Sequence, residues 1–190
     1  MKKCSLFLAV AISLLLVQTA AANLVVNGGF ETGDFTGWTQ SGDTTYAFVS
    51  SYFPPYSGNY CADFGSTSPK DMNVITQTFA TIPGQSYYVS FWLANYDGDP
   101  QGHPPSQFQA AWNGANFYNE IFPEIAFGWT QYTKTLQATD YISELAFRFY
   151  QWPSYFTLDD VSASAVPIPG SLVLLTSVLL PLGWRRLRQG

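Results

Sequence analysis

Trp92, Tyr88, Arg148 and Tyr150, with Gln107 or Gln109, are the side chains of this 190-residue sequence whose chemistry best suits a sugar. Flat rings take the C–H faces of a pyranose, while guanidinium and amide groups bond its hydroxyls. Spacing argues for grouping them. Over residues 87–95 the odd positions Tyr87, Val89, Phe91 and Leu93 are uniformly apolar, whereas Tyr88, Ser90, Trp92 and Ala94 mix small and aromatic groups. In an extended chain alternate residues share a face, so the odd set belongs inside and the even set outside. Leu145, Phe147 and Phe149 likewise form one face of their strand and leave Ala146, Arg148 and Tyr150 on the other. If the strands align, the six polar and aromatic residues meet on one sheet face as a glycan site. The same aromatics also suit packing beneath loops, or filling the second layer of a thick sandwich.

Catalysis finds less support. His103 is the only histidine, it precedes Pro104-Pro105, and there is no Gly-x-Ser-x-Gly elbow, so neither a Ser-His-Asp site nor a transition-metal site has its parts. His103 reads as a solvent-exposed loop residue. Paired carboxylates can hydrolyse glycosides, but 13 acidic residues make chance pairs common.

The elements that must position these residues are strands. Aromatic and β-branched residues are abundant, charged residues few, and turn formers recur at short intervals. Strands are expected over residues 24–26, 44–50, 59–64, 74–80, 86–95, 107–112, 115–121, 129–138, 142–151 and 156–163, with no helix among them. Asn113-Gly114 predicts a tight hairpin because both residues tolerate positive φ. Ile82-Pro83-Gly84-Gln85 predicts a type II turn. Residues 97–106, rich in Gly and Pro, read as a long loop.

The two ends read as export signals around a single domain. Residues 1–22 carry Lys2 and Lys3, an apolar stretch and Ala20-Ala21-Ala22, which is the order of a secretory signal peptide cut before Asn23. Residues 166–190 run from Val166-Pro167-Ile168-Pro169-Gly170 through an apolar stretch to Arg185, Arg186 and Arg188. This tail resembles the PEP-CTERM sorting signal of exopolysaccharide-producing Gram-negative bacteria, with Ile168 where the commonest form has Glu. The resemblance implies a single hydrophobic helix held briefly in the inner membrane and cut by an exosortase-like enzyme. Without both ends, the body over residues 23–165 keeps Lys70, Lys134 and Arg148 against all 13 acidic residues, a formal net charge of -10. Nucleic acid is excluded as a partner, since it needs clustered cations. Only Cys61 survives leader removal, so no intrachain disulfide can form, and a strand-buried thiol is the expected fate.

Three stretches of the body carry a further resemblance. Asn27-Gly28-Gly29-Phe30-Glu31 with Gly37-Trp38, the Gln77 to Trp92 segment around Pro83-Gly84, and Leu158-Asp159-Asp160-Val161 look like the opening, central hairpin and closing strand of jelly-roll carbohydrate-binding modules and their galactose-binding-like relatives. The resemblance implies an all-β jelly-roll β-sandwich and a structural Ca2+ held by Glu31, Asp159 and Asp160. Simple alternation would put Asp159 and Asp160 on opposite faces, so that only one could readily reach the ion, with Asp160 preferred. The expected protein is therefore an exported, noncatalytic, glycan-binding component of the envelope or exopolysaccharide matrix. A purely structural matrix protein without ligand is the main alternative, and a glycan hydrolase on the same fold is the third reading.

Overall fold

The computed structural model describes residues 22–96, 104–122 and 126–167. The leader up to residue 21, His103, and the tail from Ile168 through Pro169 to Arg185, Arg186 and Arg188 lie outside the described residues.

Ten strands follow one another with no helix among the described residues: β1 Thr39–Ser41, β2 Tyr46–Ser50, β3 Cys61–Gly65, β4 Asn73–Ala80, β5 Ser86–Asn95, β6 Ser106–Trp112, β7 Ala115–Phe122, β8 Phe127–Gln137, β9 Ile142–Tyr150 and β10 Phe156–Ala165. They form two five-stranded antiparallel sheets, ordered β1-β4-β9-β6-β7 (sheet A) and β2-β3-β10-β5-β8 (sheet B). This is a β-sandwich of the expected jelly-roll kind.

The core follows the alternation read from sequence. Tyr87, Val89, Phe91 and Leu93 of β5 are buried, as are Leu145, Phe147 and Phe149 of β9. Because β5 and β9 lie in different sheets, these two inward faces meet: Phe91 packs edge-on against Phe147 at 5.0 Å, and Phe64 of β3 stacks on Phe149 at 4.1 Å. With no disulfide available, this aromatic interior is the source of stability, since large rings bury the most apolar area per residue.

Both predicted turns form. Asn113 and Gly114 adopt φ of 50° and 79° between β6 and β7, as a primed hairpin turn demands. Gly84 has φ of 82°, and Gln85 N–H donates to the Ile82 carbonyl at 3.0 Å. Residues 24–26, however, are not a strand. Leu24 N–H donates to Ala163 O of sheet B, whereas Val26 bonds the Gln77 amide of sheet A, so the segment crosses between sheets and has no continuous partner. The three-residue β1, polar and exposed throughout, takes the edge of sheet A instead.

Candidate functional site

The six residues expected on one face divide between two. Trp92 and Tyr88 point outward from β5 of sheet B, whereas Arg148 and Tyr150 of β9 and Gln107 and Gln109 of β6 belong to sheet A. Their outward directions are opposed across a sandwich whose sheets stand about 10 Å apart, so one ligand cannot span them. Alternation fixes which side of its own strand a residue takes; it carries no information on which sheet the strand joins. On sheet A, Arg148 stands opposite Gln109 and Val74, and its Nη1 donates to Asn116 Oδ1 at 3.5 Å. Tyr150, opposite Gln107, is 1% exposed and offers no ring to a ligand.

On sheet B the outer face has two halves. One is roofed by the 51–60 segment, whose Ser57-Gly58-Asn59 turn the sequence offers as a source of calcium-binding carbonyls but whose aromatics it gives no role. Tyr56 stacks on Trp92 with centroids 3.7 Å apart and planes 15° from parallel, and Trp129 meets Tyr56 edge-on at 6.1 Å. Phe53 stacks on Tyr96 at 5.4 Å and also touches Tyr155. Trp129 Nε1 donates to the Pro54 carbonyl at 3.1 Å, which pins the loop to β8. Trp92 therefore packs beneath a loop, and the ring offered to solvent is Tyr56, 42% exposed. The signal that could have found this is Tyr52-Phe53-Pro54-Pro55-Tyr56 itself: aromatics in a turn-forming stretch have no strand face of their own to fill, and two of these three, Phe53 and Tyr56, pack back onto the sheet while Tyr52 stays exposed.

The other half of the face is open and rich in hydroxyls. Ser90 pairs with Thr133 on one side and Ser162 on the other, and the Ser90 and Ser162 hydroxyls lie 2.8 Å apart. Tyr88, also 42% exposed, pairs with Thr135 and Ser164 and closes the far end. Tyr88 and Trp92, four residues apart on one strand, are separated by about 13 Å. The result is a hydroxyl floor with an aromatic ring at each end, a shape and chemistry suited to a short oligosaccharide.

The three acidic residues gather at the edge of the same roof. Both Glu31 carboxylate oxygens accept the Asn59 N–H, at 2.9 and 3.1 Å, and Oε1 also accepts the Tyr60 N–H at 3.0 Å; these bonds hold the Glu31 carboxyl below its ordinary pKa. Gly58, at φ 65°, leaves room there, since a Cβ would collide with the Glu31 carboxylate. Asp159 Oδ2 accepts the N–H groups of Tyr56 and Ser57 at 3.0 and 3.1 Å. Asp160 Oδ1 accepts the Ser57 hydroxyl at 3.0 Å.

Contrary to the simple alternation expected, Asp159 and Asp160 turn toward the same side. A bulge in β10 between Asp159 and Ser162 places Asp160 at φ 47°, and the Oδ1 atoms of both residues come within 3.7 Å of the point where a Gly29 Cβ would lie. Burial, with a smaller contribution from the Asp160 charge, pushes the Asp159 carboxyl up to about 6 despite its N–H donors. Among the described residues no three His, Cys, Asp or Glu side chains form a ready metal cage; Glu31, whose Cγ lies 3.8 Å from the same Gly29 point, gives its carboxylate oxygens to the turn N–H groups.

Cys61 is fully buried on β3, its Sγ set against the Ser50 and Phe53 carbonyls, and burial beside Asp63, Asp159 and Glu31 pushes its thiol pKa up. The thiol is the inert core residue expected.

No curated protein sequence matches the chain. Solved structures share its fold at low identity. The TmCBM61 module, solved with β-1,4-galactotriose, is 19% identical with a TM-score of 0.57, covering 77% of this chain and 100% of that one. The CBM22-1 xylan-binding domain of Xyn10C from Paenibacillus barcinonensis is 16% identical with a TM-score of 0.56, covering 79% of this chain and 98% of that one. The enzymatically active domain of tailspike protein 4 from bacteriophage CBA120 is 15% identical with a TM-score of 0.57, covering 76% of this chain but only 21% of that one. Residues 22–155 match the family described as carbohydrate binding domain, and the chain belongs to that family.

Proposed function

We propose that this protein is an exported, noncatalytic module that binds a glycan on the outer face of sheet B, within the envelope or exopolysaccharide matrix of a Gram-negative bacterium. One observation carries the reading: the Tyr56 ring, stacked on Trp92 and braced by Trp129, stands at the end of the Ser90, Ser162 and Thr133 floor. A sugar laid on that floor keeps its hydroxyls bonded while a C–H face covers the ring, and the rigid loop has little freedom left to lose on binding. Tyr88 and Tyr56 touch the ligand; Trp92 is a positioning residue. Family membership and the sugar named in the TmCBM61 structure support a carbohydrate as the ligand class. The test is a glycan array and polysaccharide depletion with the full chain and with Tyr56→Ala and Tyr88→Ala. Binding that both variants lose supports the site; binding that both retain places the ligand elsewhere, and no binding to any glycan favours a structural matrix role.

Calcium belongs to the same reading. Asp159 and Asp160 would hold the ion, with carbonyl oxygens of the neighbouring loops completing its shell, while Glu31 fixes the 56–60 turn. The supporting observation is the pair of carboxylates brought to one side by the bulge, one of them buried at a cost that a divalent cation would offset. Export proceeds through the signal peptide and the Val166-Pro167-Ile168-Pro169 tail, whose apolar run holds the protein at the inner membrane until an exosortase-like enzyme cuts it. Detection of the protein in the culture matrix, lacking residues after the motif, tests that route.

A further inference from the structure

We propose that the end of the sandwich bearing Ile82, Tyr141 and Ile142 rests on the lipid bilayer while the protein is held by its tail. This rests on the membrane-held tail of the function proposed above and adds a lipid-facing surface on the body. Ile82 is 65% exposed, Tyr141 72% and Ile142 65%, three bare apolar side chains at one place on the described surface. They sit together because two adjoining turns are bonded to each other: Thr81 N–H donates to Tyr141 O at 2.8 Å, Thr81 Oγ1 to Asp140 O at 2.7 Å, and Ala80 pairs with Ile142. Single exposed apolar residues are ordinary, but a cluster at one tip marks a contact surface.

The occupant follows from where the chain leaves the body. Val166 N–H donates to Ser86 O at 2.8 Å and Gln85 Nε2 donates to Val166 O at 2.7 Å, so the exit point is tied to the Ile82–Gln85 turn itself. The apolar run begins at Ser171, five residues on. Five residues reach at most about 18 Å even fully extended. A bilayer that holds the run therefore lies within that distance of the turn, and the headgroup layer takes up roughly 7 Å of it. Ile and Tyr at this depth are the residue types that gain from the interface, the tyrosine keeping its hydroxyl among the headgroups. Zwitterionic lipid is the fitting partner, since Asp140 beside Tyr141 and the acidic body disfavour an anionic surface.

The test uses the chain from Asn23 to Gly190, as it stands once the leader is removed, in phosphatidylcholine vesicles with an environment-sensitive fluorophore on a cysteine at Ile82→Cys, Tyr141→Cys or Gly128→Cys. Cys61 is buried and stays unlabelled. Gly128 is the control: a Cβ there meets nothing within 4 Å, and it lies at the opposite end of β8, about 30 Å from the Gln137 end that pairs with Ser86. The expected result is a blue shift and loss of quenching by aqueous iodide at positions 82 and 141, with neither at 128. Chains that float with the vesicles while all three probes stay equally quenched overturn the lipid-facing tip and leave the tail reading intact. Chains that do not float overturn the tail reading, and the tip surface falls with it.

Discussion

The outer faces of the two sheets make an instructive pair. Both carry residues that could bond a sugar, and sheet A has the only arginine of the body together with Gln107 and Gln109. Yet its large ring, Tyr150, is buried, and Gln107, Gln109 and Arg148 are half-buried, with Arg148 turned to Asn116. Sheet B has fewer strong hydrogen-bonding groups, but the 51–60 loop builds relief on it: a braced ring stands against a hydroxyl floor. Composition was nearly balanced between the faces; the fixing of an exposed ring was not.

The sharpest way to break this comparison is substitution on each face in turn. Trp92→Ala removes the ring on which Tyr56 rests, so glycan affinity is expected to fall by about 2 kcal/mol, roughly thirty-fold in Kd, and thermal stability to fall with it. Tyr88→Ala, at an exposed position, is expected to weaken binding by a smaller factor with the melting temperature unchanged. Arg148→Ala should alter neither. Titration calorimetry with one array-identified oligosaccharide decides: an Arg148→Ala variant that loses binding while Tyr88→Ala keeps it would reverse the assignment of the faces.

Calcium sharpens the contrast, because its carboxylates border the sheet B roof and nothing comparable borders sheet A among the residues expected to bind metal. Saturating calcium at about a hundredfold over its Kd is worth about 2.7 kcal/mol, which corresponds to a rise of roughly 5–10 °C in melting temperature for a domain of this size. Asp160→Asn should abolish the rise. A melting curve identical in calcium and in chelator would remove the ion from the account and leave Asp159 and Asp160 as loop anchors.

The difference between the faces also explains what the sequence could and could not disclose. Strand interiors were legible because burial writes a period of two into the chain, as in Tyr87, Val89, Phe91 and Leu93, and the Asn113-Gly114 turn because few other residue pairs accept its φ values. The acidic residues at the two ends of the body were read together, as ligands of one ion; that they share the 56–60 turn as a hydrogen-bond partner came from the structure. Sheet membership was not, since β5 and β9 have the same alternation whether they are neighbours or face each other across the core. The side taken by Asp160 was hidden in a bulge, which shifts register without changing composition. Tyr56 escaped because loops have no period, so its role depends on a tertiary contact with Trp92.

A pH-dependent effect is expected beneath the roof itself. Asp63 is fully buried on β3, held by the Ser50 and Thr157 hydroxyls, and burial pushes its carboxyl from 3.8 up to about 6. A folded-state pKa above the unfolded one means that the folded protein binds the proton more tightly. The stabilisation from this group is therefore complete below about pH 3.8 and is lost as pH rises through about 6. Asp63→Asn keeps the shape and discards the charge; one hydroxyl keeps donating to the amide oxygen while the other rotates to accept from the amide N–H. The variant should thus gain stability at pH 8, by about 1 to 3 kcal/mol, and gain less at pH 5. Arg148→Ala on sheet A should leave the melting temperature unchanged at both pH values. Thermal unfolding of the two variants at pH 5 and pH 8 checks this, and an Asp63→Asn curve parallel to the wild type across that range would show that water reaches the carboxylate and that the roof over sheet B is looser than its ring contacts imply.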